Sequence, residues 1–341
     1  MPAQEVGLQV EAYHDAAGFA ALREAWNPLV QASAVNTVFA TWEWQKVWWD
    51  SFGDGHELHL LALRDDAELV GLAPFVVEIV AGQRLLRLLG GTEVADYLDV
   101  IATRGREEEV WAAIMGHLAG VAWEQLDLHA IAEHSPTRPI LDRLGQSGAY
   151  RVESLREDVC PQLDLPANWE AYLESLSSKN RHELRRKLRR LAAEANYHWH
   201  TVHDPAELPA AVATFAELHR QSSRDKRVFM DQAMEAYFLA NAQVILQAGW
   251  LWLSFLEVDG RRVASTFAYD YNGTVALYNS GYDPAYSFLS VGLLAVVFCL
   301  QEAVLANRRS FDFLQGSEPY KYDLGGRDLA VYNIKVSRLI P

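Results

Sequence analysis

The order of predicted secondary structure, which occurs twice along the chain, is the feature that most constrains its fold. A strand, a hairpin turn, further strands, a helix and a closing strand follow one another over roughly residues 56–131. The same order returns over roughly residues 251–316, where Asp259-Gly260 and Asn272-Gly273 are pairs that favour tight β-hairpins. The pattern predicts two copies of one α/β unit, each an antiparallel meander followed by a helical crossover.

The length of the chain agrees with this repeat, because 341 residues are enough for two domains of ordinary size. Between the two copies, residues 177–248 are predicted to form a helical insert. We therefore expect an N-terminal domain over residues 1–165. A C-terminal domain over residues 166–341 would contain the insert.

Charge is divided unevenly between the two halves of the chain. The whole sequence has 30 Lys and Arg against 45 Asp and Glu, which gives a net charge of −15. Residues 1–175 carry 11 basic and 28 acidic side chains, whereas residues 176–341 carry 19 and 17. The overall acidity argues against general coating of nucleic acid, so no DNA partner is expected. An anionic ligand should bind in the second half.

A basic helix is predicted to start at Ser177 or Ser178, and it has seven Lys and Arg against one Glu over residues 179–190. Three interpretations remain open. In the first, the basic side chains form a solvated face. In the second, they contact a phosphate-bearing substrate, with Arg181 and Arg185 as the binding residues. In the third, they dock the protein on an anionic membrane or on tRNA.

The cysteine content and the N-terminal sequence predict a cytoplasmic location. Cys160 and Cys299 are too few for a disulfide framework. The first residues include acidic side chains and lack the basic and apolar regions of a signal peptide. The longest apolar run, near residues 291–300, has about half the length that a bilayer requires, so no transmembrane segment is expected.

Three histidines that lie close in sequence raise the question of a metal site. On a strand, His198 and His200 would share a face, with His203 nearby. No carboxylate or cysteine with metal-ligand spacing completes the set, and the sequence has no Walker A, nucleophile-elbow or zinc-protease motif. No metal is therefore expected.

Four segments of the chain resemble one known family. They are FATWEWQKVWWDSFG near the start, ADYLDV at residues 95–100, SSKNRHELRRKLRRL in the middle, and the block from YDPAYSFLSVG to SEPYKYDLG near the end. Together they resemble the CelD-type acetyltransferases of the Gcn5-related N-acetyltransferase (GNAT) superfamily, which are akin to the Fem-type aminoacyl transferases. The resemblance implies an α/β (α+β) fold of two tandem GNAT-like domains, each a mixed, mostly antiparallel sheet flanked by helices.

The resemblance also implies an acyl-CoA co-substrate, with acetyl-CoA as the expected donor. Its pyrophosphate would lie over the N-terminus of the crossover helix, where backbone N–H groups are free and the helix dipole is positive. In the second copy this turn predicts Ser290, Val291, Gly292 and Leu293 as the donor-binding residues. The paired glycines of the superfamily are missing, and Fem-type relatives do not bind CoA. An alternative is that Ser290 simply caps the helix.

The corresponding turn of the first copy, residues 103–109, contains three consecutive glutamates. Carboxylates at this position would repel a pyrophosphate. We therefore expect the second domain alone to bind the charged donor, while the first domain is structural or forms one wall of the acceptor site.

Acid–base groups are expected near the end of the chain. Amine acylation needs a group that accepts a proton, and a tyrosine suffices to protonate a thiolate leaving group. Glu318 is the predicted base and Tyr320 or Tyr278 the predicted acid. Lys321 would stabilise an oxyanion or a donor phosphate, and Asp312 lies on the adjacent strand. The alternative is an ordinary polar surface loop.

The first domain offers three candidates for binding the acceptor. Asp96 and Tyr97 follow a glycine pair and are expected to open a strand, and Trp42 belongs to a helix rich in tryptophan. In the alternative interpretation, Asp96 caps a turn, Tyr97 packs inside, and the tryptophans build the core.

These observations predict an acyl-CoA-dependent N-acyltransferase that acts on an amine of a polar small molecule or an amino sugar. Transfer would be direct, by general acid–base catalysis in a cleft between the domains, in a monomer or a homodimer. One alternative is a Fem-like transferase that uses aminoacyl-tRNA. Another is a non-catalytic binding protein of a polysaccharide pathway.

Overall fold

The chain divides into two compact units, and the first is interrupted by the second. The computed structural model describes residues 7–91 and 94–339. Residues 1–158 and 329–341 form the first unit, and residues 159–328 form the second. The domains predicted from the sequence placed all residues after 165 in the second domain, whereas residues 329–341 belong to the first unit.

The first unit contains a mostly antiparallel sheet with helices. Its strands pair in the order β1-β2-β3-β4-β6, and the β4–β6 pair is parallel. The elements, in chain order, are β1 (Gln9–Tyr13), α1 (Ala17–Ala32), a 3₁₀ turn (Val38–Ala40), α2 (Trp42–Phe52), β2 (Glu57–Asp65), β3 (Glu68–Val80), β4 (Gln83–Leu88), β5 (Ile101–Ala102), α3 (Glu107–Leu118), β6 (Gln125–Ala132), α4 (Thr137–Gln146) and β7 (Tyr150–Asp164).

The second unit contains another mostly antiparallel sheet, in the order β8-β9-β10-β11-β12, with the end of β7 beside β12. Its elements are α5 (Trp169–Ser175), α6 (Ser178–Glu194), β8 (Tyr197–Thr201), α7 (Leu208–Ser222), α8 (Arg224–Phe229), α9 (Gln232–Gln247), β9 (Leu251–Val258), β10 (Arg261–Tyr271), β11 (Thr274–Tyr282), a 3₁₀ turn (Pro284–Leu289), α10 (Val291–Leu305), β12 (Ser310–Asp312) and α11 (Pro319–Asp323). The last strand, β13 (Arg327–Arg338), returns to the first unit and pairs antiparallel with β6.

Two tight turns shape the meander of the second unit as the sequence predicts. Asp259 and Gly260 have φ of 51° and 80°, and Asn272 and Gly273 have φ of 48° and 74°. Positive φ at both central residues is the geometry that matches the twist of a β-hairpin. These turns connect β9 to β10 and β10 to β11.

The central strands of the second unit are covered by helices on opposite faces. Phe267 of β10 lies 5.3 Å, between ring centroids, from Phe215 of α7. The next residue, Ala268, belongs to the apolar cluster formed by α10, in which Cys299 is fully buried. Because neighbouring strand residues point to opposite faces, α7 and α10 cover different sides of the sheet.

The parallel pair β11–β12 is short, and this shapes the site described below. Pairing extends only from Thr274 opposite Ser310 to Ala276 opposite Asp312. Beyond this point β11 continues to Tyr282 beside β10 alone, within the described part of the chain. The two strands therefore separate, and among the described residues this edge of β11 has no strand partner beyond Ala276.

Three histidines pack together in the first unit and make its stability depend on pH. The buried ring of His59 lies 5.1 Å from that of His14 and 5.5 Å from that of His117. Burial, followed by the charges of these neighbours, lowers the pKa of His59 to about 4. The folded state therefore needs the neutral ring, while the unfolded chain takes up a proton near pH 6.5.

We expect His59 to lower the free energy of unfolding by about 2 kcal/mol as the pH falls from 7.5 to 5. Urea unfolding at the two pH values measures this loss, and the His59→Phe variant should show a smaller loss because its ring cannot be protonated. An equal loss in the variant and the parent protein would contradict the assignment.

Candidate active site

A pocket of about 340 Å³ lies at the N-terminus of α10 in the second unit. We call it the α10 pocket. None of the ten described residues that line it is acidic, although the protein as a whole carries a net charge of −15. They come from α8, the end of β11, the 3₁₀ turn, the start of α10 and α11, and they are Lys226, Ser280, Tyr282, Ser287, Ser290, Val291, Gly292, Leu293, Val296 and Tyr320.

Ser290 gives the entry to α10 an unusual backbone conformation. Its φ of 60° and ψ of 34° are left-handed, which is uncommon for a residue with a side chain. The hydroxyl makes no capping hydrogen bond, so the alternative in which Ser290 acts as an ordinary N-cap is wrong. The amides of Val291, Gly292 and Leu293 donate to no group in the described residues. All three residues line the pocket.

The basic helix α6 reaches this turn through one side chain, Lys187. Its Nζ donates to Ser290 Oγ at 3.1 Å and also lies 3.3 Å from a carboxylate oxygen of Glu183. Arg181 instead donates to the carbonyl of Glu174, and Arg185 pairs with the exposed Glu170. The two arginines predicted to bind substrate therefore line neither the α10 pocket nor the smaller one beside it.

The smaller pocket, of about 80 Å³, lies between α6 and α11 and shares two lining residues, Leu293 and Tyr320, with the α10 pocket. Lys187 lines it as well. Lys187 follows Leu184 by three residues and precedes Leu191 by four, so it sits beside the apolar stripe of the helix. That position was the sequence signal for a lysine that faces inward.

Gly292 allows an aromatic side chain to pack against the first turn of α10. A Cβ at this position would lie 2.8 Å from Cδ1 of Tyr282, too close for an ordinary contact. Tyr282 is the last residue of β11 and lines the α10 pocket. Its role was not predicted, because only the folded chain brings the end of the strand against the helix.

Lys226 is the second lysine at this site, and sequence reasoning missed it. Its Nζ donates to the carbonyl of Ser280 at 2.6 Å, on β11 near its end. No carboxylate of the described residues lies within ion-pair distance of it. Burial lowers the pKa of Lys226 to about 8, with Glu318 opposing this shift and Lys321 adding to it. No motif marks this residue in the sequence.

The predicted acid–base residues near the end of the chain have different environments. Tyr320 lines both pockets, and burial together with the charge of Glu318 raises its pKa, so the phenol stays protonated at neutral pH. Lys321 is buried, and its Nζ donates to the carbonyls of Leu314, Gln315 and Gly316 at 2.7–3.0 Å. Lys321 lines neither pocket.

Three other predicted residues lie outside the α10 pocket. Glu318 is exposed, with its carboxylate 3.0 Å from Lys321 Nζ. Asp312 is buried and accepts hydrogen bonds from the side chain of Gln162 and from the amide of Leu314, both at 2.8 Å. Tyr278 packs in an aromatic cluster, 5.5 Å from Phe238 and 5.2 Å from Tyr269. The structure thus brings Tyr320 together with residues 290–293, but not these three side chains.

The acceptor candidates Trp42, Asp96 and Tyr97 all belong to the first unit. Trp42 donates from its ring N–H to the carbonyl of Phe19 at 2.8 Å. Tyr97 is buried, with its ring 6.0 Å from that of Phe39. Asp96 and Tyr97 do not open a strand as expected, because the regular strand begins only at Ile101.

The crossover helix of the first unit, α3, has a start that differs from that of α10. The amide of Gly105 donates to a carboxylate oxygen of Glu107 at 2.8 Å. Arg106 is held by Glu109 and Asp65. Carboxylates therefore already surround the helix N-terminus that a phosphate would need.

Metal-ligand groups and membrane-spanning helices would each define a different class of site. Within residues 7–91 and 94–339, no three His, Cys, Asp or Glu side chains are grouped so that they could hold a metal ion. Among the same residues, no helix combines the length and apolar character needed to span a membrane. The predicted histidine pair, His198 and His200, has ring centroids 6.4 Å apart.

Comparison with known sequences identifies the domain around this site. A family model described as acetyltransferase (GNAT) domain matches residues 178–322, from the start of α6 into α11. This range includes every described residue that lines the α10 pocket. No curated protein matches the chain.

Comparison with solved structures shows the fold of the whole chain. The crystal structure of FemX is 10% identical, covers 96% of this chain and 97% of its own, and has a TM-score of 0.69. The C-terminal domain (DUF2156) of a putative lysylphosphatidylglycerol synthetase from Agrobacterium fabrum is 12% identical, with coverages of 93% and 92% and a TM-score of 0.58. L-PGS from Bacillus licheniformis is 12% identical, with coverages of 98% and 94% and a TM-score of 0.57.

At such low identity these structures establish similarity of fold and not of substrate. The sequence match is confined to the unit that contains the α10 pocket, and the fold match extends over both units. Residues 178–322 therefore match the acetyltransferase (GNAT) domain model, in a chain whose fold over both units is similar to that of FemX.

Proposed function

We propose that the chain is a CelD-type, acyl-CoA-dependent N-acyltransferase, and that the α10 pocket binds the acyl donor. The observation that carries this proposal is the start of α10, where three consecutive residues line the pocket and their amides lack partners among the described residues. Free N–H groups at a helix N-terminus bind phosphate through hydrogen bonds and the helix dipole. The pyrophosphate of CoA is a ligand of this kind.

The charges around the turn support an anionic ligand. Lys187 approaches from α6, and its Nζ donates to Ser290 Oγ at the start of α10. No acidic residue is among the described residues that line the pocket. In the first unit the corresponding helix start is already occupied by Glu107. We therefore assign donor binding to the second unit alone.

The chemistry proposed is direct transfer to the amine of a polar small molecule or an amino sugar, in the cytoplasm. The acceptor amine attacks the thioester carbonyl, and the CoA thiolate leaves. Tyr320 stays protonated and lines the pocket, so it is suited to donate a hydrogen bond to the leaving sulfur. Asp96, Tyr97 and Trp42 remain candidates for acceptor binding.

Replacement of Lys187 by methionine tests the donor site. We expect the variant to bind CoA about 10-fold more weakly, because a charge-assisted hydrogen bond to a phosphate is lost. Lys179→Met is the matched control, since Lys179 is exposed at the start of the same helix, and its affinity should stay unchanged. Isothermal titration with CoA measures both. Equal losses in the two variants would show that α6 contributes only general charge.

Substitutions of Ser290 test whether the backbone turn or the hydroxyl of this residue holds the donor. Ser290→Gly should bind CoA within a few-fold of the parent protein, because glycine readily adopts the left-handed conformation. Ser290→Val should bind more weakly, because a β-branched residue is poorly tolerated at positive φ. Weaker binding in the glycine variant alone would indicate that the hydroxyl, not the turn, holds the donor.

A second candidate is a Fem-like transferase that takes its acyl group from aminoacyl-tRNA. The fold shared with FemX and the basic face of α6 favour this possibility. A thermal shift with acetyl-CoA supports the first function. Retention of charged tRNA that is abolished by salt, without any response to CoA, supports the second.

A further inference from the structure

The proposed function assigns no chemical step to Lys226, which is a titratable group in the α10 pocket. The short helix α8 places it over β11, and its Nζ–H···O bond to Ser280 occupies the strand edge that β12 leaves free. This bond fixes the nitrogen in the pocket wall while using one of its hydrogens. In the described residues, the remaining hydrogens of Nζ have no partner.

Two charged side chains and one titratable side chain lie near Lys226. Glu318 lies just before α11 and favours the ammonium form, whereas Lys321 of α11 disfavours it. His219 of α7 is also close, and its own pKa is lowered to about 4, so it is neutral at physiological pH. Because burial dominates, the pKa of Lys226 falls to about 8. A substantial share of the neutral amine is therefore present between pH 7 and 8.

We propose that Lys226 accepts the proton that the acceptor amine releases during acyl transfer, a role that rests on the proposed function. The lone pair of the amine attacks the thioester carbonyl carbon, and a C–N bond forms. The C–S bond breaks, and its electron pair leaves with the sulfur. The N–H proton moves to Nζ of Lys226, and the resulting ammonium returns it to the thiolate, so amide and free thiol are produced without net proton release.

The alternative base, Glu318, is less suited to this step. Its side chain is 56% exposed, it is paired with Lys321, and it does not line the α10 pocket. Lys226 lies in the wall of that pocket, and its acidity is close to that of a thiol, which permits proton transfer in both directions.

Competitive labelling with trace acetic anhydride, followed by peptide mass spectrometry, tests the state of Lys226 in the full chain. We expect its reactivity to rise with a midpoint near pH 8. Glu318→Gln should move the midpoint for Lys226 to lower pH, because a charge that favours the ammonium is removed. CoA should protect Lys226 and not Lys179. An ordinary midpoint for Lys226 overturns the proposal.

Kinetics of thiol release from acetyl-CoA, with glucosamine as the amine, test the role. Lys226→Met should lower kcat about 100-fold at pH 7.5 and remove the rise in rate near pH 8, while the affinity for CoA stays within a few-fold. Lys226→Arg should not restore the rate, because a guanidinium remains protonated. A rate that the arginine variant restores would mean that Lys226 supplies only positive charge, which overturns the proposal.

The two hypotheses fail in different ways. If CoA neither shifts the melting temperature nor protects any lysine, the proposed function fails and the role of Lys226 fails with it. If CoA binds and protects Lys226 but the methionine variant keeps the parental rate, only the role of Lys226 is wrong.

Discussion

Replacing Lys321 with methionine is expected to lower the free energy of unfolding of the second unit by about 3 kcal/mol or more. The buried ammonium donates to three successive carbonyls, those of residues 314–316. The chain there adopts a positive φ of 56° at Leu314 and 109° at Gly316, which turns these carbonyls toward one point. Methionine has a similar length but no donor, so all three acceptors would be left without their partner.

Glu318→Gln is the matched control, because it removes the ion pair of Lys321 and leaves the carbonyl bonds in place. This variant should lower the free energy of unfolding by less than about 1 kcal/mol, because an ion pair with an exposed carboxylate contributes little. Urea unfolding of both variants and titration with CoA measure the result. If Lys321→Met retains parental stability but loses activity, Lys321 acts on the substrate and not on the loop. Because Tyr320 is its neighbour, we expect donor binding to weaken together with stability.

Replacing Gly281 with alanine is expected to destabilise the second unit by about 3 kcal/mol, near the upper end for overpacking. A Cβ at this position would lie 2.4 Å from the amide nitrogen of His219 and 2.6 Å from the carbonyl carbon of Leu218. Both atoms belong to the backbone of α7, so relief requires the helix to move away from β11. Ser280, the preceding residue, lines the α10 pocket, and a shift of this strand should therefore lower the CoA affinity as well.

Gly116→Ala provides the comparison for this change. Gly116 lies inside α3, and a Cβ there would have no neighbour within 4 Å. Alanine should raise stability there by about 0.5–1 kcal/mol, because it has the higher helix propensity. Thermal unfolding of the two variants would show opposite shifts. A neutral outcome for Gly281→Ala would mean that α7 is free to move away from the sheet.

Sequence reasoning succeeded for the fold where local signals were strong. The Asp259-Gly260 and Asn272-Gly273 turns, and the apolar helix α10, follow directly from residue type and periodicity. It missed β8 within the insert and the return of β13 to the first unit. An edge strand has a weak pattern, and the pairing of β13 with β6 depends on residues far apart in the chain.

Part of the predicted set of site residues lies together in the structure. Residues 290–293 could be selected because a loop before a helix is recognisable in sequence, and Tyr320 lines the same pocket. Lys226 was missed because tertiary packing alone brings it to the carbonyl of Ser280. Lys187 was missed although its position beside the apolar stripe of α6 is a sequence signal. Lys321 was expected to act on the substrate, since lysine is seldom fully buried. The structure instead shows it bonded to main-chain carbonyls.

The return of β13 to the first unit also sets an order of assembly during synthesis. The second unit is continuous, so its strands β8 to β12 are all available once residue 328 has emerged. The first unit appears earlier, yet β6 lacks its partner until residues 327–338 follow. Closing that pair requires a loop that encloses the whole second unit, which is a slow step for a chain. The second unit, although it begins to emerge later, is thus the first that can finish folding.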